Sequence, residues 1–239
     1  MGKHVLILGA SGDIGKAVAG TLAENGHSLI LHYHKNHSSI QQLVDMLPEE
    51  SVLQTIQADL TNMEAVRHLC GEVAYSVQAI IYVSGMAQYG LFQTVPEEAM
   101  DRMLTLHVKA PWYVTQYFLP KMIQMQAGHL LFVTSIWGNS GASNEVIYSS
   151  VKGAQNSFVK ALAKEAGPSG IKVNAVSPGF IDTKMNQHFE AEEKENIIQQ
   201  IPLNRLGIAK DVAYMIDFLL NDKASYIQGE VINISGGWN

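Results

Sequence analysis

Gly9-Ala-Ser-Gly12-Asp-Ile-Gly15 joins the apolar run His4–Leu8 to an amphipathic stretch that continues to Asn25. Three glycines between a strand and a helix permit a tight turn and close approach of backbone to a ligand. The helix N-terminus then faces an anionic group such as a pyrophosphate. A plain turn also uses glycines, so the strand before and the helix after carry the meaning. The loop is not a magnesium-phosphate loop. The spacing before Gly15-Lys16 is wrong, and Ala17 stands where a metal-binding hydroxyl is required, which sets phosphoryl transfer aside.

Outward from this turn, short apolar runs alternate with longer amphipathic stretches. Strands are expected at His4–Leu8, Ser28–His32, Val52–Gln57, Ala79–Val83, Gly128–Thr134, Lys172–Val176 and Glu230–Ile234. Helices are expected at Ile14–Asn25, Ser39–Leu47, Met63–Tyr75, Pro96–Gln126, Tyr148–Gly167 and Lys210–Leu220. Crossovers of this length connect parallel strands, and right-handed connections wind them into a doubly wound α/β sheet of Rossmann type. With 239 residues, 47% of them apolar and 16% charged, the whole of 1–239 reads as one domain. Residues 183–205 are polar and Glu-rich, and read either as a substrate lid or as a pair of short solvated helices. A net charge of −6 leaves no basic stripe for nucleic acid. The single cysteine, Cys70, fits a reducing compartment. The apolar stretch Val5–Leu8 is too short for a signal segment or a membrane span, so a cytoplasmic chain is expected.

Tyr148 and Lys152 are four residues apart at the start of a helix and share one face. Ser135 follows the fifth strand, at the end of the sheet where open α/β folds hold their ligands. Reducing a carbonyl requires a hydride and a proton for the developing alkoxide. A phenol titrates near about 10. A nearby ammonium is expected to bring it down, and a serine hydroxyl to hold the substrate oxygen in line.

The chain resembles the short-chain dehydrogenase/reductase family, with its N-terminal glycine turn and its Ser and Tyr-x-x-x-Lys triad. Val133-Thr-Ser135-Ile-Trp-Gly138 is similar to the family's serine strand, and Tyr148-Ser-Ser-Val-Lys152 to its active-site helix. Asn174-Ala-Val-Ser-Pro178-Gly179-Phe-Ile-Asp-Thr183 resembles the segment that wraps the nicotinamide. The tail, from Arg205-Leu-Gly through Tyr226-Ile-Gln-Gly229-Glu to Ser235-Gly-Gly237, is similar to bacterial 3-oxoacyl-carrier-protein reductases. The resemblance implies Ser135, Tyr148 and Lys152 as catalytic residues. It implies coenzyme contacts from Gly9, Ser11, Gly12, Asp13, Ile14 and Gly15, from Ser84 and Gly85 after strand four, and from Asp59-Leu60 beside the adenine. Pro178, Gly179, Ile181, Thr183, Tyr148 and Lys152 complete that set.

Several positions depart from the family pattern. Leu8 and Asp13 replace a Thr and a Gly in the turn, and Tyr82-Val-Ser84-Gly85 replaces Asn-Asn-Ala-Gly. His107 aligns with the helix asparagine of the proton relay, either as its substitute or as a plain core residue. Strand two ends in His32-Tyr-His34-Lys35-Asn36, with no acid to hold the ribose hydroxyls of NAD and with His34 and Lys35 available to a 2′-phosphate. NADP(H) is therefore expected over NAD(H). His32, His34 and His37 lack the ligand spacing of a zinc site, and no metal is expected. Tyr113, Tyr117 and Phe118, with Val114, form an aromatic stripe suited to homodimer or homotetramer contacts. The expected substrate is a small-molecule carbonyl or alcohol, among them an acyl thioester. The stretches 124–127 and 168–169, where carrier-protein reductases place basic residues, carry none, so a small ketone, a sugar or a coenzyme A ester stays open. So does a coenzyme-binding regulatory protein without turnover.

Overall fold

The structure, a computed structural model, describes residues 2–238. Among these, the strands are β1 (His4–Leu8), β2 (Ser28–Tyr33), β3 (Val52–Gln57), β4 (Ala79–Tyr82), β5 (Gly128–Val133), β6 (Ile171–Pro178) and β7 (Val231–Ile234). All neighbours run parallel in the order β3-β2-β1-β4-β5-β6-β7. The helices are α1 (Asp13–Glu24), α2 (His37–Met46), α3 (Met63–Glu72), α4 (Glu97–Leu104), α5 (Ala110–Met125), α6 (Trp137–Ser140), α7 (Val146–Ala166), α8 (Ala191–Gln200) and α9 (Ala209–Leu220). The fold is a doubly wound α/β sheet of Rossmann type.

Strand residues alternate between two cores because successive side chains point to opposite faces. Along β1, Leu6 and Leu8 pack with Val66 of α3, Val114 of α5 and Val159 of α7. Val5 and Ile7 pack with Val18 of α1, Ile40 of α2 and Ile216 of α9. Each such side chain, fully buried, contributes about 1.5–3 kcal/mol by leaving water.

Two local outcomes differ from the sequence expectation, and the solvated character expected of 183–205 is met. The stretch 96–126, expected as one helix, is α4 and α5 joined by a π turn at Thr105–Lys109. The aromatic stripe divides. Val114 and Phe118 are buried in the core, whereas Tyr117 is 49% exposed, because a step of one residue turns a helical side chain by about 100°. The segment 183–205 contains a 3-10 turn at Lys184–Asn186 and the solvated helix α8, which has no buried residue.

His32 ties the sheet to the glycine turn. Its Nδ1 accepts the Gly9 N–H at 3.0 Å, and its Nε2 lies 3.0 Å from the Ala58 carbonyl oxygen, to which it donates. That pairing requires the neutral ring, and burial pushes its pKa down to about 4. His129 on β5 is likewise pushed down to about 4, first by burial and then by Lys3 and Lys172. As pH falls below the ordinary imidazole value of 6.5, the unfolded chain takes up protons that these folded rings refuse. Their contribution to stability is thus intact above pH 6.5 and declines down to about pH 4. Urea unfolding at pH 5 should give a stability lower than at pH 7 by about 2 kcal/mol for each ring. His129→Gln should remove about half of the two rings' combined dependence. An unchanged pH dependence in that variant would contradict the assignment.

Candidate active site

The sheet order reverses direction between β1 and β4, so crossovers leave to opposite faces and open a crevice at the strands' carboxyl ends. The glycine turn sits in that crevice. Gly9 has φ +98°, and a Cβ there would lie 2.7 Å from the Ser84 backbone nitrogen. A Cβ on Gly15 would collide with the Gly9 carbonyl. The turn is therefore packed to contact on its inner side, and only glycine fits at either position. Gly12 stands at the N-cap of α1 without a side-chain cap, so the first-turn N–H groups face the crevice unpaid by any side chain of their own cap.

A cleft of about 780 Å³ runs along this crevice. It brings together Gly9, Ser11, Gly12, Asp13, Ile14, Gly15, His34, Lys35, Asp59, Leu60, Ser84, Gly85 and Thr183. Volume and lining suit an elongated nucleotide, with open N–H groups at the centre and basic side chains at one end. At that end, His34 Nε2 lies 3.6 Å from Asp59 Oδ2. Burial would raise the Asp59 carboxyl, but hydrogen bonds from the Thr61 hydroxyl and N–H, with His34 and Lys35 nearby, hold it below the usual range. Asp59 thus caps a turn, and the N-cap of α3 is Asn62, whose side chain accepts from Glu64 N and Ala65 N. His32, His34 and His37 have separate partners, His37 pairing with the Tyr33 hydroxyl at 3.0 Å. No cluster of three metal-ligating side chains occurs among the described residues.

A second cavity opens beside the first, lined by Ser135, Tyr148, Lys152, Pro178, Gly179, Ile181 and Thr183. Ser135 follows the end of β5, and Tyr148 and Lys152 occupy one face of the first turns of α7. Lys152 is buried, and its Nζ donates to the Val133 carbonyl oxygen at 2.9 Å, clamping α7 to β5. The same Nζ lies 5.6 Å from the centre of the Tyr148 ring. Burial pushes the ammonium down to about 7. The expectation that Lys152 would lower the Tyr148 phenol is not met. Burial raises that phenol well above its ordinary value, and only the hydrogen bond with Ser135 pulls it back. The outcome follows from low dielectric acting on both groups: each favours its neutral form. Tyr148 therefore holds its proton at neutral pH.

His107 is fully buried and lies behind the cleft, not on its surface. It sits in the π turn, whose widened backbone frees carbonyls from the ordinary helical ladder. Two side chains take them up: Tyr82 Oη donates to Leu106 O at 2.6 Å, and Gln155 Nε2 to His107 O at 2.8 Å. The imidazole Nε2 faces Met86 O at 3.0 Å, and Nδ1 has no partner in its buried position. Burial, and then Lys152, keep the ring well below its ordinary pKa, so it is neutral. Its ring makes an edge contact with Tyr148 at 5.9 Å between centroids.

Contacts that the sequence did not reveal, several from residues it had not singled out, complete the walls. Asp13 Oδ2 accepts the Lys184 N–H at 2.6 Å, tying the glycine turn to the segment after Thr183 instead of capping α1. Tyr89 packs at a tilt against His188, 4.9 Å between centroids, and Phe180 edge-on against Phe189, 5.1 Å between centroids, and Met185 and Asn186 of the same segment line the second cavity. Trp137 meets Trp238 at 5.1 Å, which brings the tail against the serine loop. Glu145, three residues before Tyr148, also faces this cavity. Its place next to an N-terminal helical Tyr was the signal that sequence alone offered.

Residues 9–239 match the family model described as enoyl-(acyl carrier protein) reductase. The chain is 43% identical over 241 residues to the uncharacterized oxidoreductase YmfI of Bacillus subtilis, with 100% of both chains covered. It is 31% identical over 241 residues, covering 99% of each chain, to the 3-oxoacyl-[acyl-carrier-protein] reductase FabG of Staphylococcus epidermidis. A solved structure described as an NAD(P)-dependent gluconate 5-dehydrogenase from Beutenbergia cavernae, with NADP at low occupancy, superposes with a TM-score of 0.94. That match has 25% identity and covers 99% of this chain and 96% of the other.

Proposed function

Because this chain belongs to the short-chain dehydrogenase/reductase family of oxidoreductases, we propose that it interconverts a ketone and a secondary alcohol with a nicotinamide coenzyme. The observation that carries the reading is the pair of hydroxyls, Ser135 and Tyr148, beside a buried Lys152 at the carboxyl end of β5. Both hydroxyls suit an oxygen as the reacting partner, which favours a carbonyl over an isolated carbon–carbon double bond.

Gly9, Ser11, Gly12, Asp13, Ile14 and Gly15 would hold the coenzyme's pyrophosphate, with Ser84 and Gly85 beside the neighbouring sugar. His34, Lys35, Asp59 and Leu60 would hold its adenosine end, and Pro178, Gly179, Ile181 and Thr183 its nicotinamide end. When bound, the coenzyme supplies or accepts the hydride at carbon. Ser135 orients the carbonyl oxygen by donating a hydrogen bond. Tyr148, protonated at neutral pH, gives its proton to that oxygen as negative charge develops there. Lys152 would anchor the nicotinamide ribose, and its bond to Val133 O holds α7 so that the phenol stands beside the Ser135 hydroxyl. His107 acts through its neighbours, as a positioning residue that fixes Lys152 and the Gly85 turn from behind. The segment 183–205 is the substrate lid, held by Asp13 and the Tyr89 aromatic contacts.

NADP(H) is the favoured coenzyme. Lys35 and His34 stand at the rim of the adenosine end, and the Beutenbergia relative is described with NADP. An acyl thioester is the first candidate substrate, by similarity to FabG. The uncharged stretches 124–127 and 168–169 bear less on this than their sequence suggested. They precede β5 and β6, at the amino ends of strands about 20 Å long, so within one chain they lie far from Tyr148. We further assign self-association, as a homodimer or homotetramer, to the exposed Trp112 and Tyr117 on α5, and a cytoplasmic location to a chain whose one cysteine is free and buried.

Tyr148→Phe should keep coenzyme affinity, measured by fluorescence titration, while kcat on a responsive ketone falls by about 10²- to 10⁴-fold. A near-normal rate would remove Tyr148 from the proton step. Lys35→Ala should raise KM for NADPH roughly tenfold and leave that for NADH nearly unchanged. Equal effects on both would overturn the coenzyme preference.

A further inference from the structure

We propose that Glu145 is a specificity-determining residue of the substrate cavity. It selects carbonyl compounds that carry a neutral hydrogen-bond donor close to the reacting carbon and rejects those that carry a carboxylate there. The proposal rests on the reading of Ser135 and Tyr148 as the pair that binds the carbonyl oxygen.

The cavity beside the coenzyme cleft is bordered by Glu145, Tyr89, Tyr148, Trp137 and Asn186. The main chain is turned to deliver Glu145 into it. Asn144 adopts a left-handed φ of 62°, a conformation that asparagine tolerates better than most residues. Its carbonyl oxygen accepts the Gly90 N–H at 2.9 Å, and the Glu145 carbonyl accepts the Ser149 N–H at 2.8 Å. The residue is thus held from both sides, by the loop that carries Tyr89 and by the first turn of α7.

Glu145 is half-buried, yet among the described residues its carboxyl makes no hydrogen bond or ion pair. Lys152 is the one basic side chain among the described residues lining this cavity, and its ammonium is engaged with Val133 O. Burial alone pushes the Glu145 carboxyl up to about 7. A group so placed lacks only a partner, and a hydroxyl or amide N–H on the substrate supplies one. Above pH 7, where the Glu145 carboxyl is ionised, a second carboxylate would meet like charge in a low-dielectric cleft and would lose its own hydration without compensation.

The test uses the full-length protein with NADPH at pH 8, where Glu145 is ionised, and two matched pairs: methyl acetoacetate against acetoacetate, and hydroxyacetone against acetone. The wild type should favour methyl acetoacetate and hydroxyacetone in kcat/KM. Glu145→Gln should shrink the ester-to-acid ratio by about tenfold, chiefly through a lower KM for acetoacetate. Glu145→Leu should abolish the advantage of hydroxyacetone over acetone. Binding of 3-hydroxybutyrate, followed by the fluorescence of Trp137 and its neighbour Trp238, should tighten in Glu145→Gln independently of turnover. Ratios and affinities unchanged in the variants would overturn the role of Glu145 while leaving the ketone reading intact. Failure of the wild type to turn over any of the four compounds, with coenzyme bound, would overturn both.

Discussion

The hydrogen bond from Lys152 Nζ to the Val133 carbonyl oxygen, 2.9 Å long and sealed from solvent, fixes the relation between helix α7 and strand β5. Ser135 belongs to the strand side of that contact and Tyr148 to the helix side. Their mutual geometry therefore depends on this one buried donor finding its acceptor. An ammonium with so little solvent is costly to keep charged, and burial accordingly brings it down to about 7. The same dry surroundings hold the proton on Tyr148. One constraint thus sets both the position and the protonation of the reactive group.

The surroundings support that contact from behind. The π turn carries His107 to the back of Gly85, and Gln155, one turn beyond Lys152 on α7, satisfies a carbonyl of the widened helix by donating to His107 O. Tyr82, on the neighbouring strand β4, takes the adjacent carbonyl. At the other end of the crevice, His32 performs a comparable service for the glycine turn by joining Gly9 to Ala58. Hydrogen bonds between distant segments thus tie the floor of the cleft together, and its polarity is graded. Basic side chains line one end of the cleft, and Glu145, whose carboxyl has no hydrogen-bond partner among the described residues, lines the adjoining cavity.

Much of this was legible in the residues. Apolar runs of strand length alternating with helix-length stretches give the parallel order, because parallel strands demand long crossovers. The glycine turn and the Tyr148–Lys152 spacing then locate the crevice. What was hidden depends on contacts between distant segments. The π turn needs Tyr82 and Gln155 to satisfy its freed carbonyls, and neither lies near Thr105–Lys109 in the chain. His32 was read without a structural role, yet its ring joins the segments that follow β1 and β3, on either side of β2. The direction of the Tyr148 shift follows from burial, which spacing along a helix does not reveal. Asp13, an oddity in the turn, is explained only by the Lys184 N–H more than a hundred residues away.

The most direct measurement is a crystal structure of the protein with NADP⁺ bound. The account predicts the nicotinamide ring over the carboxyl ends of β4 and β5, a ribose hydroxyl within hydrogen-bonding reach of Lys152, and open space for a carbonyl oxygen between Ser135 and Tyr148. A nucleotide seated elsewhere, or a ring lying where Ser135 and Tyr148 cannot both reach a substrate oxygen, would contradict it.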